Sequence, residues 1–263
     1  MSLWRKAGIG RIAAPAAVLA ALLLAWELAA QWDLIADLLS IRDFLVPAPS
    51  EIAETLWQER ALLADDAWVT LREVLAGFAL ALLAGLGLAV LLHLSETARR
   101  ALYPLLVASQ TIPIIVIAPV LVVWFGFGIV PKLLIIALIC FFPITVNAYD
   151  GLRSVDPELP KMLRTLGAGR RQILLRAELP WAAPFAFSGA KIAIAVAVIG
   201  AVFAEWAGSD SGLGHLILVS SGELSTSLTF AAIAVLSGIA IALFALLALL
   251  ERRVVDWREE ATE

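Results

Sequence analysis

Six apolar runs, nearly free of charge, punctuate this chain: Ile12–Ala30, Leu71–Leu94, Tyr103–Phe125, Pro131–Ala148, Phe185–Trp206 and Leu228–Leu250. A helix needs about 20 residues to cross the ~30 Å of hydrocarbon in a bilayer, and each run is near or above that length. In lipid every backbone donor and acceptor must be satisfied internally, so such runs become helices. Composition agrees: 62% of the 263 residues are hydrophobic and 16% charged, against about half and a quarter in soluble domains. The expectation is an all-α polytopic membrane protein with six transmembrane helices. A signal peptide competes for the first run. That run is too long for an h-region, and no small-x-small site precedes a soluble domain.

Positive charge sets direction. Arg5, Lys6 and Arg11, then Arg99 and Arg100, then six cations between Arg153 and Pro184, then Arg252, Arg253 and Arg258 all fall on one side. The other side carries only Arg42, Arg60, Arg72 and Lys132. Both termini and the 153–184 loop are therefore expected in the cytoplasm. Trp26, Trp32, Trp124, Trp206 and Trp257 lie near run ends, as an interfacial belt does. The chain then divides into a tail and first helix (1–30), an extracytoplasmic segment (31–70), a five-helix core (71–250) and a cytoplasmic tail (251–263). In the 31–70 segment, Pro47-Ala48-Pro49-Ser50 is an extended lead-in. Ser50 is the expected cap of a surface helix bearing Glu51, Ile52, Glu54, Leu56, Trp57 and Leu63.

Several chemistries are excluded. One cysteine, Cys140, rules out a disulfide scaffold or a clustered Cys metal site. His93 and His215 are isolated from other ligands at metal spacing, so neither a metal nor a cofactor is expected. No nucleic-acid partner is expected, but the net charge of −4 is itself uninformative on that point in a membrane chain, where the placement of the charges matters. No Gly-x4-Gly-Lys-Ser/Thr is present, so any ATPase powering transport is a separate chain.

The loop from Arg153 to Pro184 is basic and amphipathic. Asp156 is a good N-cap and Pro157 a good first helical residue, although Pro160 should delay the start. Leu159, Met162, Leu163 and Leu166 make one apolar stripe, and Gly167 is a helix stop. A second piece, Arg170–Leu179, should end at Pro180. The pattern by itself fits a helix lying on the membrane surface as well as one plugging into a cytoplasmic partner. Gly167, nine residues, then Ala177-x-Leu179-Pro180 resembles the EAA loop of ABC importer permeases, whose pattern is Glu-Ala-Ala-x3-Gly-x9-Ile-x-Leu-Pro. Here Lys161-Met162-Leu163 replaces Glu-Ala-Ala, and Ala177 replaces Ile. The resemblance implies that Leu159, Met162, Leu163, Arg164, Thr165, Leu166, Gly167, Ala168, Leu179 and Pro180 couple the chain to an ATPase.

Polar and small residues inside the runs mark further candidates. Gly77/Ala81/Gly85/Ala89 and Gly189/Ala193/Ala197/Ala201 are stripes for close helix packing, within the chain or across a dimer. Pro104, Pro113 and Pro119 bend the third run, with Gln110 and Thr111 beside the bend. They line a pathway or merely kink a packing helix. Glu205 lines an outer gate or is simply hydrated there, and Lys191 snorkels to the interface. The glycines of Gly208–Ile217 suit a re-entrant turn over a pore mouth, or a disordered loop.

Further stretches extend the resemblance from Leu45 to about Trp257: Trp124-Phe125-Gly126-Phe127-Gly128, Phe142-Pro143-Ile144, Gly151–Pro157, and Glu205 with Gly212-Leu213-Gly214. The chain is similar to the permeases of nitrate/sulfonate/taurine-type ABC importers. Phe187-Ser188-Gly189-x-Lys191-Ile192-Ala193 and Val198–Val202 look most like those serving pyrimidine thiamine precursors or riboflavin-like compounds. The resemblance implies a non-catalytic, multi-pass subunit of a bacterial inner membrane, in a type I importer fold. Its implied partners are a second permease copy, two ATPase subunits, an extracytoplasmic binding protein and the bilayer. The rival reading is an ion-coupled secondary transporter, which needs midplane carboxylates; the spanning acids read here, Glu27 and Glu205, lie near helix ends. An intramembrane enzyme would need a catalytic constellation within a span, and none is found.

Overall fold

A computed structural model describes residues 3–32, 42 and 45–255, with backbone alone over 3–16. The expected positions Trp257 and Arg258, and most of 33–44, lie outside the described residues. Among the described residues all regular structure is helical: α1 (Leu3–Gln31), α2 (Pro49–Gln58), α3 (Arg60–Leu94), α4 (Glu96–Ser109), α5 (Ile114–Phe125), α6 (Ile129–Arg153), α7 (Glu158–Thr165), α8 (Arg170–Ile173), a π-helical segment Leu174–Glu178, α9 (Leu179–Gly208), α10 (Leu213–Gly222) and α11 (Thr226–Val254). Among the described residues, four stretches are long and apolar enough to cross a membrane: Arg60–Leu94, Ile129–Arg153, Arg170–Gly208 and Thr226–Val254. The pair α4 and α5 makes a fifth if counted as one broken span.

That pair corrects the third predicted run. It is not one kinked helix but two, bent by 102°. Pro113 supplies no donor and disfavours helical backbone at Ile112, so α4 ends and α5 starts afresh behind the proline. The second run is corrected too. Its helix starts at Arg60 instead of Leu71, because 60–70 contains neither Pro nor Gly to stop it. At α2, Ala48 and not Ser50 is the cap residue; Pro49 takes the first turn, and the Glu51 carboxylate accepts the Ala48 N–H at 3.2 Å.

Contacts divide the chain into two units. One combines the described part of Met1–Ala64 with Leu216–Ala234. In it Glu27 accepts from the Ser50 N–H at 2.9 Å and the Ser50 hydroxyl at 2.6 Å, joining α1 to α2. Trp26 packs on Phe230 with ring centroids 6.0 Å apart.

The other unit, Asp65–His215 with the described residues from Val235 on, holds the main core. Here α6 lies between α3 and α9, and the small-residue stripes explain why. A Cβ on Gly77 would fall 2.6 Å from Ile136, and one on Gly189 would fall 2.5 Å from the Pro143 carbonyl oxygen. Ala81, Ala193, Ala197 and Ala201 are fully buried against Ile136, Cys140 and Ile144. The stripes thus serve packing within the chain, where backbone approach replaces the hydrophobic drive that lipid removes. Leu236, Ala240, Leu243 and Leu247 of α11 pack on this core. Lys191 does not simply snorkel: its ammonium meets Glu251 of α11 at 2.6 Å.

Candidate functional site

Two loci in this second unit carry polar chemistry. The first is the loop after α6. The Asp156 carboxylate accepts the Glu158 N–H at 2.9 Å, although the cap position falls on Pro157, one residue later than expected. Pro160 does not delay the helix, since α7 starts at Glu158 and the proline sits in a first turn whose N–H groups need no intrahelical partner. Gly167 ends it with φ +87°. The Gly167 N–H bonds the Arg164 carbonyl at 3.0 Å, and the Ala168 N–H bonds that of Leu163 at 3.0 Å. Those paired bonds are a Schellman turn, in which the left-handed residue is nearly always glycine.

No residue of α7 is buried. Leu159 and Leu163 are half-buried, Met162 is 54% exposed, and Leu166 just beyond the helix is 75% exposed. The predicted stripe exists, and among the described residues it is covered only in part, at Leu159 and Leu163.

The second helical piece departs from expectation. It does not end at Pro180. Arg170–Gly208 is continuous, with the wider π turn Leu174–Glu178 immediately before Leu179 and Pro180. Pro180 cannot donate, and a π turn ahead of it lets the chain carry that missing bond without breaking. This segment is tied to the end of α3. His93 Nε2 lies 3.0 Å from Glu178 Oε2, and the Arg170 guanidinium donates to the Leu94 carbonyl at 2.6 Å. His93, read from sequence as isolated, has a partner 85 residues away.

The second locus is the turn between α9 and α10. Glu205, on the last turns of α9, is 1% exposed, so it is not a hydrated carboxylate in this conformation. Its Oε1 accepts the Thr70 hydroxyl at 2.7 Å. Its Oε2 accepts the backbone N–H of Gly214 at 2.6 Å and of His215 at 3.1 Å. The Thr70 oxygen in turn accepts the Leu213 N–H at 2.8 Å, and Asp66 accepts the Gly212 N–H at 2.7 Å. The Trp206 indole donates to the Gly214 carbonyl at 2.8 Å.

At the start of the turn, the Lys132 ammonium donates to Glu73 at 2.7 Å and to the Ser209 hydroxyl at 2.6 Å. Lys132 and Glu73 are both buried; the second Glu73 oxygen has no hydrogen-bond partner. An open cavity of about 470 Å³ adjoins Lys132, lined also by Phe127, Gly128, Gly208, Ser209 and Asp210. Residues 209–215 are thus an ordered turn leading into a helix, not a disordered loop.

Gln110 and Thr111 lie at the α4–α5 break, exposed, with the Thr111 hydroxyl donating to the Ala108 carbonyl at 2.8 Å. Sequence reading missed Asp66, Thr70, Glu73 and Lys132. Glu73 is a spanning acid that the count of two overlooked. The signal was present, because Asp66, Thr70 and Glu73 fall at i, i+4 and i+7 on one face of α3. Starting the span at Leu71 cut that face in half.

The sequence and the fold find matches among known proteins. The family described as "Binding-protein-dependent transport system inner membrane component" matches residues 77–256. The chain belongs to that family. It is an ABC importer permease, a transport subunit of the inner membrane; the ATPase is a separate subunit. The formylaminopyrimidine transport permease protein ThiX of Halalkalibacterium halodurans is 37% identical over 87% of this chain and 92% of its own. The riboflavin transport system permease protein RibX of Chloroflexus aurantiacus is 37% identical over 81% of each chain. The solved MetNI methionine ABC transporter, in an inward-facing conformation, shares the fold with a TM-score of 0.63 at 20% identity, over 76% of this chain and 97% of that one. Membership in a binding-protein-dependent family brings an ATPase and a substrate-binding protein as partners. It also displaces the ion-coupled reading.

Proposed function

We propose that this permease works as one of two identical copies, with both termini and the α7 loop in the cytoplasm and the 209–215 turn on the outer side. The Lys/Arg asymmetry supports that direction, and the six-span division into 1–30, 31–70, 71–250 and 251–263 goes with it. Leu159, Met162, Leu163 and Leu166 seat in a groove of the ATPase. Arg164, Thr165, Gly167 and Ala168 shape the turn, and Leu179 and Pro180 lead back into the span. One observation carries this reading: α7 closes its ends with hydrogen bonds from its own loop, yet no residue of it is buried, and Met162 and Leu166 of its apolar stripe stand exposed. A short helix whose termini are satisfied but whose apolar face is open is built for a partner.

Motion of that loop reaches α3 through His93–Glu178 and Arg170–Leu94, and the membrane pathway switches between two facings. Gln110 and Thr111 line the pathway at the α4–α5 break, where exposed backbone at membrane depth is tolerated only against protein or water. Glu205 stands at the outer gate. The solute is a small heteroaromatic, a pyrimidine thiamine precursor first and a riboflavin-like compound second, because the relatives with those names each share 37% identity. Sulfonates, taurine and nitrate are the remaining classes.

The test is a pull-down of the ATPase by permease carrying Leu163→Asp, beside ATP hydrolysis by the reconstituted complex. A carboxylate driven into an apolar groove should cost several kcal/mol, on the order of a hundredfold in association. Retention of full association and hydrolysis by Leu163→Asp refutes the coupling role. Labelling of Gly169→Cys by an impermeant thiol reagent from outside intact cells, in a Cys140→Ala background, refutes the orientation.

A further inference from the structure

A helix leaves its first N–H groups without intrahelical partners, and one cap residue from the helix's own lead-in usually serves one or two of them. The start of α10 is served differently. The N–H groups of Gly212, Leu213, Gly214 and His215 go to Asp66, Thr70 and Glu205, with Glu205 taking two. None of these acceptors belongs to α10 or its lead-in turn. Two come from the head of α3 and one from the end of α9. Thr70 and Glu205 are buried at 0% and 1% exposure, so water does not stand in for them. Thr70 closes the set, because one hydroxyl donates to Glu205 and accepts from Leu213. A sliding of α3 along α9 by one helical turn, about 5.4 Å, would carry Asp66 and Thr70 away from Glu205, and the four donors could no longer all be served at once. The place of the first turn of α10 is therefore fixed by the register of α3 against α9.

We propose that Asp66, Thr70 and Glu205 are positioning residues for the transport step: they hold the first turn of α10 at the mouth of the pathway without touching solute. The proposal rests on the permease reading with Glu205 at the outer gate, and it extends that role to two residues of α3.

The experiment uses the full permease–ATPase complex in liposomes, with a reporter cysteine introduced as Ser211→Cys in a Cys140→Ala background. The variants are Thr70→Val, which keeps shape and removes the hydroxyl, Thr70→Ser, which restores it, and Asp66→Ala at a half-buried position. Two quantities are read: amide hydrogen exchange of residues 212–215, and labelling of the reporter by an impermeant maleimide with and without ATP plus vanadate. In the parent, trapping the nucleotide should change the labelling rate at least fivefold. In Thr70→Val, amides 212–215 should exchange at least tenfold faster, and the nucleotide should no longer change labelling. Thr70→Ser should recover both to within twofold. Unchanged exchange in Thr70→Val overturns the clamp itself. Faster exchange with nucleotide-dependent labelling intact makes the clamp structural only and overturns its part in transport. A parent that shows no nucleotide dependence overturns the gate reading on which the proposal stands, while its exchange data still judge the clamp. If Thr70→Val fails to assemble, the same outcomes are read from Asp66→Ala.

Discussion

The α7 loop and the 209–215 turn are both organised around a glycine at positive φ, and they use it in opposite settings. At Gly167 (φ +87°) a Cβ would meet nothing within 4 Å; at Gly212 (φ +106°) it would run into the Glu205 carboxylate. The loop satisfies its backbone from its own residues, Asp156 at one end and the Leu163 and Arg164 carbonyls at the other. The turn borrows acceptors from α3 and α9 and is buried around them. A self-capped loop keeps its shape when it moves or meets a partner. A turn capped by other helices has its place only while those helices keep their register. The first arrangement suits docking, and the second suits reporting the state of the bundle.

The sharpest break of this contrast is Gly212→Ala. It combines a strained backbone, ~1–3 kcal/mol, with displacement of a buried carboxylate that leaves donors unpaired, ~1–3 kcal/mol each. The purified permease should lose 10 °C or more in thermal midpoint, or fail to accumulate; a midpoint near the parent's would show that the turn is not dependent on its neighbours. Glu205→Gln comes next. An amide has one acceptor oxygen where the carboxylate offers two, and its NH2 faces donors. A loss of about 2–4 kcal/mol is expected, read as a thermal shift at least half that of Gly212→Ala, with uptake reduced. Third is Gly167→Val, which meets only the cost of left-handed backbone, ~1–2 kcal/mol. Its thermal shift should be small, while ATPase association falls because the second piece is misaimed from the first. Smallest for stability is Leu163→Asp at a half-buried position of α7, about 1 kcal/mol. It should melt close to the parent and yet lose the ATPase. A large thermal shift for Leu163→Asp would mean that α7 is held by the bundle, and the contrast would collapse.

The two regions also differ in how far sequence reaches. Asp156, the stripe from Leu159 to Leu166 and Gly167 lie within a dozen residues, and each acts on its neighbours, so the capped amphipathic helix is legible from the order of residues alone. Its continuation is not, because whether Pro180 ends a helix depends on the turn width ahead of it, and the π segment at Leu174–Glu178 is a tertiary adjustment. The break at Pro113 is half legible. Proline chemistry marks the place, but the 102° bend is set by what α4 and α5 pack against.

Local order alone determined the apolar runs, the helical class, the small-residue stripes and the amphipathic α7 loop, because hydropathy, periodicity and caps act over a few residues. Only the tertiary structure decided that Glu205 is a buried acceptor, that Thr70 and Asp66 share its task, that Lys132 pairs with Glu73, and that His93 meets Glu178. These partners stand 59 to 146 residues apart. In a low-dielectric core a polar side chain must find a partner wherever the packing brings one. The residue's identity states the need, and the fold chooses who meets it.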